Sequence, residues 1–572
     1  MEYSLLYPQN AERKSNTITE ESINDLSIDF ILAALTDQKY EREHMRKLMV
    51  SVTDDPEVIR YRRDVFDDFL KFPKLREAMS ELVLKLADLR DIERFQKDQE
   101  SSSLWLLVNR LREIDDYVSC INMIKATLES LDIQSEGMLT LKQMVTDISR
   151  ESNFDELKMD IDETLEKAKR LKSVTIGVNL DGLLRPRTAG VISLNDTKFT
   201  DAGLMRRFMS FADKKSGLHE GNDVSGFKQF HPANHREYKK GDGSSDRRTG
   251  SDNFSVEPSN ITGDDALSEA IKRPVTEILR STVNEIKFTL KRYINISGYS
   301  LTSLMPEIIF YVRWAELIDK IKAQGMPVCK AEILPPEQRD CSFKDLYNLK
   351  LAIKNVQGDN INIITNDIEF NDDYRIYILT GPNRGGKTIF TQAYGLAMHL
   401  AQLGIYVPAS QASISPCDNI FTHFPADEND TVDLGRLGEE SKRLSEIFEV
   451  ATERSVMLLN ESLATTSVTE GLFIAKDVVK AMRFLGVRCI FNTHMHDLAR
   501  SVEQLNSEVE GGSKAASLVT GMHDGERSFK VSLLPPQGVS YAKDIALKYG
   551  ISFNQIKDSI TQNRQNNAQQ IR

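Results

Sequence analysis

The sequence predicts a multidomain protein: an all-α region carrying one short β element, followed by an α/β domain built round a glycine-rich loop. Three observations predict it. The 572 residues exceed what one hydrophobic core organises. The first half repeats apolar residues four and three apart, the helical rhythm. From about Asp373 onward, short apolar runs alternate with helical segments, as in a parallel sheet with crossover helices. A hydrophobic content of 40% and a charged content of 28% are ordinary for a globular chain.

No apolar run approaches the roughly 20 residues of a membrane helix, and the opening MEYSLLYPQNAERK lacks a signal-peptide core, so a cytoplasmic protein without membrane contact is expected. Cys120, Cys329, Cys341, Cys417 and Cys489 are scattered without a CxxC pair, which argues against a zinc site or a disulfide frame. A net charge of −12 excludes nucleic-acid affinity spread over the whole surface and leaves a local basic groove open.

Taken in order, residues 1–24 read as an N-terminal extension and 25–210 as the first part of a helical region. In LREAMSELVLKLADL, residues Leu75, Met79, Leu82, Leu86 and Leu89 form one stripe, that of a bundle helix facing its neighbours. SVTIGVNLDGLLRPRTAGVISLN, from Ser173, changes to β-branched residues broken by Gly and Pro and predicts short strands. Residues 211–264 are rich in Gly, Ser and Asp and read as a flexible insertion or a clamp-like tip. Residues 265–330 return to helix, with Leu279, Val283, Ile286, Leu290 and Tyr293 in the four-three rhythm. Two long helical segments flanking an insertion suggest a hairpin lever, and 30 helical residues span about 45 Å. Residues 331–560 form the α/β domain, and 561–572, rich in Gln and Asn, read as a polar disordered tail.

The chemistry lies in the α/β domain. Gly381, Pro382, Asn383, Arg384, Gly385, Gly386, Lys387 and Thr388 are a complete P-loop between the strand RIYIL and an apolar helix. In such a loop the backbone N–H groups close around phosphate oxygens, the lysine reaches the outer phosphates, and the hydroxyl of Thr388 ligates magnesium. ATP and Mg²⁺ are therefore the expected ligands. In VMLLNES, beginning at Val456, Asn460 stands where an aspartate usually accompanies the metal, with Glu461 after it. Asparagine keeps the carbonyl oxygen and loses one negative charge, which predicts weaker magnesium affinity and slow turnover. Glu461 and His494 fall at the ends of neighbouring expected strands, where both can face the loop. Arg384 is open to two roles, touching phosphate or a partner subunit.

GPNxGGK is the P-loop of the ABC-type ATPases of the MutS family, and the chain resembles that family at this point. The resemblance continues through YVPAS at 406–410, IFTHF at 420–424, Asn460-Glu461, ATTS at 464–467 and NTH at 492–494. Upstream, DLSIDFILAAL and DDPEVIRYRRDVFDDF are similar to the core and lever domains of MutS-related bacterial proteins. The resemblance implies that Glu461 is the general base and His494 the switch histidine sensing the γ-phosphate. It also implies a homodimer through the ATPase domains, and DNA as partner. The family's signature segment falls on Gly435, Arg436, Leu437, Gly438, Glu439 and Glu440, where only the last glutamate matches. Gly435 and Arg436 replace a Ser-Thr pair, so the family's serine-to-phosphate contact does not carry over by this resemblance. Backbone N–H groups of a helix starting near Gly438, or Arg436 as an arginine finger across the dimer, are the two substitutes.

Phe154-Asp155-Glu156 fits the family's Phe-x-Glu mismatch wedge only literally, because it sits in a charged helical stretch. Without a wedge domain, branched or otherwise distorted DNA read through backbone and shape fits better than mismatch scanning. Three functions follow in order: a DNA-processing ATPase in mismatch repair or recombination control; a nucleotide-gated clamp with negligible hydrolysis; and a P-loop machine acting on something other than DNA.

Overall fold

The computed structural model describes residues 3–96, 104–150, 159–160, 162–163, 173–180, 182, 186–195, 302–425, 435–463, 468–509, 513–523, 526–536 and 549–570. Two compact units divide the chain, one of residues 1–90, 119–151 and 298–572, the other of 91–118 and 152–297. The expected insertion at 211–264, the helical stripe from Leu279 to Tyr293 and the Phe154 triplet all lie outside the described residues.

Helices fill the first part. They are α1 (Glu20–Asp25), α2 (Ile28–Leu35), α3 (Lys39–Met49), α4 (Pro56–Lys71), α5 (Pro73–Gln96), α6 (Leu104–Ser130) and α7 (Glu136–Arg150), with α8 (Met305–Ala323) joining them later in the chain. Thr19 caps α1 by accepting from Ser22 N, and Asp55 caps α4 by accepting from Glu57 N ahead of Pro56. Leu75, Met79, Leu82 and Leu86 of α5 are all buried, as their spacing requires. β1 (Asn16–Thr17) pairs antiparallel with β2 (Ser51–Val52). In the second unit β3 (Ser173–Leu180) and β4 (Pro186–Asn195) form the expected β element, an antiparallel pair.

Residues 3–7, within the expected N-terminal extension, are tied to the helical part. Leu5 is fully buried, its N–H donates to Glu307 Oε2 at 2.6 Å and its carbonyl accepts from Tyr311 Oη at 3.0 Å. Arg62 Nε donates to the Leu6 carbonyl at 2.9 Å. The apolar pair in YSLLY is drawn into the groove between α4, α7 and α8, where its backbone polar groups find side-chain partners.

The α/β part comprises β5 (Glu332–Ile333), β6 (Cys341–Leu346), α9 (Leu349–Val356), β7 (Asn366–Phe370), β8 (Tyr374–Thr380), α10 (Lys387–Gln402), β9 (Gln411–Ile414), β10 (Ile420–His423), α11 (Gly435–Val450), β11 (Val456–Asn460), α12 (Val468–Leu485), β12 (Arg488–Asn492), α13 (His496–Arg500), α14 (Val502–Glu508), β13 (Lys514–His523) and β14 (Glu526–Leu533). Six strands form one sheet in the order β10-β11-β12-β8-β13-β14. All neighbours are parallel except the β13–β14 pair. A second, four-stranded sheet runs β5-β9-β6-β7. Met457, Leu459, Ile378 and Phe491 from the large sheet pack with Val479 and Met482 of α12 in a shared core.

The edge strand β10 is covered by α1. Ser22 Oγ donates to the Ile420 carbonyl at 3.0 Å, and Thr422 Oγ1 donates to Asp25 Oδ2 at 2.6 Å. An edge so capped cannot pair with another chain. At the other end Phe553–Gln570 is a helix, α15, begun at Ser552, whose carbonyl accepts from Ile556 N. The run contains neither Pro nor Gly, and its Gln, Arg, Lys and Ala residues are tolerant helix formers.

Candidate nucleotide site

The carboxyl ends of β8, β11 and β12 meet at the point where strand order switches sides, the place where open α/β sheets bind ligands. β8 delivers the loop 381–388. Gly381 has φ +144°, and a Cβ there would stand 2.0 Å from Thr520 Oγ1 on β13. Gly386, φ +86°, occupies the N-cap of α10 in the left-handed region, with Phe529 of β14 close above it. Both positions require glycine. Asn383 and Arg384 are exposed at the loop tip, and Arg384 has φ +59°.

Lys387 is buried at 5% exposure. Its Nζ donates to the carbonyls of Gly381 and Pro382, each at 3.2 Å. Burial lowers its pKa while the charge of Glu461 opposes that shift. A buried ammonium satisfied by two neutral carbonyls at the N-terminus of a 16-residue helix is matched to a polyanion.

Thr388 and Asn460 meet directly. Thr388 Oγ1 donates to Asn460 Oδ1 at 2.9 Å, and Asn492 Nδ2, from the adjacent β12, donates to the same oxygen. The registers Asn460↔Asn492 and Asn492↔Leu379 bring these side chains together. Asn492 Oδ1 is buried with no hydrogen-bond partner among the described residues. The donors here are oxygens of a hydroxyl and of amides, a hard set that suits magnesium. Among the described residues no three His, Cys, Asp or Glu side chains gather as a metal cage. Ligation by one hydroxyl, with phosphate and solvent completing the shell, is therefore the arrangement the residues fit.

Glu461 follows in a left-handed turn, φ +54°, anchored by its N–H to the Asn492 carbonyl at 2.8 Å. Its Oε1 lies 2.7 Å from His494 Nε2. That hydrogen bond, followed by the charges of His494 and Lys387, holds the Glu461 carboxyl below the usual carboxylate range against the opposing effect of burial. The acid and the histidine expected at neighbouring strand ends are thus in direct contact.

The turn after Glu461 is clamped from α11. Leu463, φ +64°, donates its N–H to Glu440 Oε2 at 2.7 Å. Ser462 Oγ lies 2.6 Å from His423 Nδ1, and His423 Nε2 lies 3.2 Å from the Glu440 carbonyl. Burial, followed by the charge of Arg443, lowers His423 to about 4; its Nε2 faces a carbonyl and so donates to Glu440, and Ser462 Oγ donates to the His423 carbonyl at 3.0 Å. Helix α11 begins at Gly435, three residues before the expected start, so the backbone at Gly438 lies in its first turn. The side chain of Arg436 and the segment 464–467 lie outside the described residues. Sequence reading missed Asn492, His423, Ser462, Thr520 and Phe529 as neighbours of this site. A polar residue ending an otherwise apolar strand was the available signal for Asn492.

Residues 377–533 match the family model described as MutS domain V, and residues 54–324 match that of the MutS2 N-terminal domain. The chain belongs to the MutS family. It is 35% identical over 159 residues to the DNA mismatch repair protein MutS of Chlorobium chlorochromatii (strain CaD3), covering 28% of this chain and 18% of that protein. It is 33% identical over 143 residues to the DNA mismatch repair protein MutS 2 of Halobacterium salinarum (strain ATCC 700922 / JCM 11081 / NRC-1), covering 25% and 17%. A third MutS, from Prochlorococcus marinus (strain MIT 9301), is 38% identical over 136 residues, 24% of this chain and 15% of its own length. The matched stretch spans about a sixth of the length of these relatives. Among the described residues no helix is long and apolar enough to cross a membrane.

Proposed function

We propose that this MutS-family chain is a DNA-binding ATPase that couples ATP binding and hydrolysis to clamping of DNA, in mismatch repair or recombination control, on structured or distorted duplex. The observation that carries the reading is the Glu461–His494 pair, 2.7 Å apart, at strand ends beside a loop whose lysine is buried and held by carbonyls. In this reading the loop N–H groups and Lys387 bind the phosphates, and Thr388 ligates magnesium with Asn460 accepting from its hydroxyl. Glu461, kept ionised, takes the proton of the attacking water. His494 orients that carboxylate and senses the terminal phosphate. Magnesium, when bound, neutralises charge on the phosphates. Two chains pair through their ATPase domains in the cytoplasm, each offering the segment of Gly435, Arg436, Gly438 and Glu440 to its partner's nucleotide, with Arg436 as candidate finger.

The test is turnover with and without branched DNA over a range of salt. DNA-stimulated hydrolysis, abolished in Glu461→Ala with ATP binding retained, supports the reading, and normal turnover in Glu461→Ala overturns the base. Asn460 in place of an aspartate favours a second reading, a nucleotide-gated clamp with negligible hydrolysis, whose signature is tight ATP binding without turnover. An absence of salt-sensitive DNA binding would instead favour a non-DNA substrate. Loss of dimer-dependent turnover in Arg436→Ala supports the finger.

A further inference from the structure

An aspartate replaced by asparagine brings a problem that charge alone does not describe. A carboxylate offers the same oxygen whichever way it turns, whereas an amide offers oxygen at one end and an N–H₂ at the other. The P-loop hydroxyl is selective between them. Once the Thr388 oxygen gives a lone pair to a cation, its proton must be accepted by a neighbour, and only the oxygen end of Asn460 can do so. The N–H₂ end would face both that proton and the cation's field.

We infer that Asn492 is the positioning residue that holds Asn460 in its competent orientation, so that the two asparagines form one functional unit beside the metal position. Asn492 Nδ2 and Thr388 Oγ1 both donate to Asn460 Oδ1. Both asparagines are buried, Asn460 at 6% exposure and Asn492 at 0%, and adjacent strands fix them opposite one another in register. Turning the Asn460 amide alone sets nitrogen against nitrogen, and turning the Asn492 amide alone sets oxygen against oxygen. The pair therefore turns together or not at all. Asn492 Nδ2 also lies 3.4 Å from Thr388 Oγ1, on the side that disfavours a proton pointing away from Asn460. The inference rests on the ATPase reading above and adds to it a residue and a reason.

Symmetry provides the test. In the Asn460→Asp background no orienter is required, because either carboxylate oxygen accepts. Binding of a fluorescent ATP analogue is titrated with magnesium for the wild-type chain, Asn492→Ala, Asn460→Asp and the double variant, with melting temperatures measured alongside. Asn492→Ala should raise the magnesium needed for half-maximal binding about fivefold, the worth of one lost hydrogen bond. Asn460→Asp should lower it. In the double variant the Asn492→Ala effect should shrink to less than about twofold, since the carboxylate needs no orientation. An equal loss in both backgrounds overturns the inference and assigns Asn492 to Thr388 or to packing, while leaving the ATPase reading intact. Nucleotide binding indifferent to magnesium in every variant overturns the ATPase reading itself. If Asn492→Ala does not fold, Asn492→Ser, which leaves a smaller cavity and a hydroxyl too short to reach, gives the same comparison.

Discussion

Glu440→Ala should slow single-turnover ATP hydrolysis about a hundredfold while leaving nucleotide affinity within about twofold of wild type. Glu440 Oε2 accepts the N–H of Leu463 at 2.7 Å, and Leu463 is buried at 1% exposure. Removing a charged acceptor and leaving that N–H orphaned costs about 1.5–3 kcal/mol. On either side of Ser462, Glu461 and Leu463 hold left-handed backbones at φ +54° and +64°, each storing roughly 1–3 kcal/mol. The strain is comparable to the bond that restrains it, so truncation lets the turn relax. A relaxation of about 1 Å at Glu461 is enough for the hundredfold loss. Glu440→Gln keeps an acceptor without the charge and should lose about tenfold, since a neutral bond is roughly half as strong. The assay is quench-flow hydrolysis of labelled ATP, beside equilibrium binding and a thermal melt. Should Glu440→Ala hydrolyse within about twofold of wild type while Arg436→Ala stops dimer-dependent turnover, Glu440 has no hold on Glu461. The segment would then act only across the dimer.

His494→Ala removes the hydrogen bond that most lowers the Glu461 carboxyl, so the acid limb of the single-turnover pH profile should move to higher pH; a limb that stays put refutes that coupling. Gly381→Ala places a Cβ 2.0 Å from Thr520 Oγ1 and 3.1 Å from its carbonyl, and equilibrium ATP binding should weaken by more than about tenfold. Adding Thr520→Ala should restore only part, because the carbonyl contact and the positive φ remain. His399 of α10 is fully buried, and burial brings its pKa from 6.5 to about 4. The stability this neutral ring contributes is complete above about 6.5 and lost as pH falls to about 4, with a slope of up to about 1.4 kcal/mol per pH unit. His399→Leu should therefore flatten the fall of the urea midpoint between pH 6.5 and 4.5, where His423, also lowered to about 4, still contributes.

The parts of the site that were legible in the sequence are those defined by local spacing. A P-loop needs its glycines, lysine and threonine at fixed offsets between a strand and a helix, and β8, the loop and α10 follow in that order. Glu461 and His494 were legible because each ends an apolar run, and parallel strands bring their carboxyl ends to one edge. The contacts that brace them were not. Glu440 and Leu463 are 23 residues apart and His423 and Ser462 are 39 apart, and their meeting depends on the β10–β11 register, which no local pattern specifies. The N-terminal segment of residues 3–7 reads as an extension for the same reason. Its partners Glu307 and Tyr311 lie 302 and 306 residues away. At the other end a Gln- and Asn-rich run without Pro or Gly lies in the helix Phe553–Gln570.

The bracing also bears on how a nucleotide event can reach the helical part of the chain. Two of the contacts of α11 matter here. Near its start Glu440 grips the turn after Glu461. Further along, Arg443 donates to the carbonyls of Thr422 and Phe424 at 3.2 and 3.3 Å, and pairs with Asp25 of α1 at 3.6 Å. Asp25 also accepts from Thr422, and burial raises its pKa against the pull of these partners. A half-buried carboxylate in such company tolerates little displacement, because separating it from the guanidinium leaves an uncompensated charge. If pairing of two chains across their nucleotides shifts α11, the shift cannot be absorbed by α11 alone. It must either carry α1 and β10 with it or break the Asp25–Arg443 contact, and both outcomes reach the N-terminal helices. The same attachments make Glu461 and α1 respond to one element, the physical contact through which a change at the nucleotide site can bias α1.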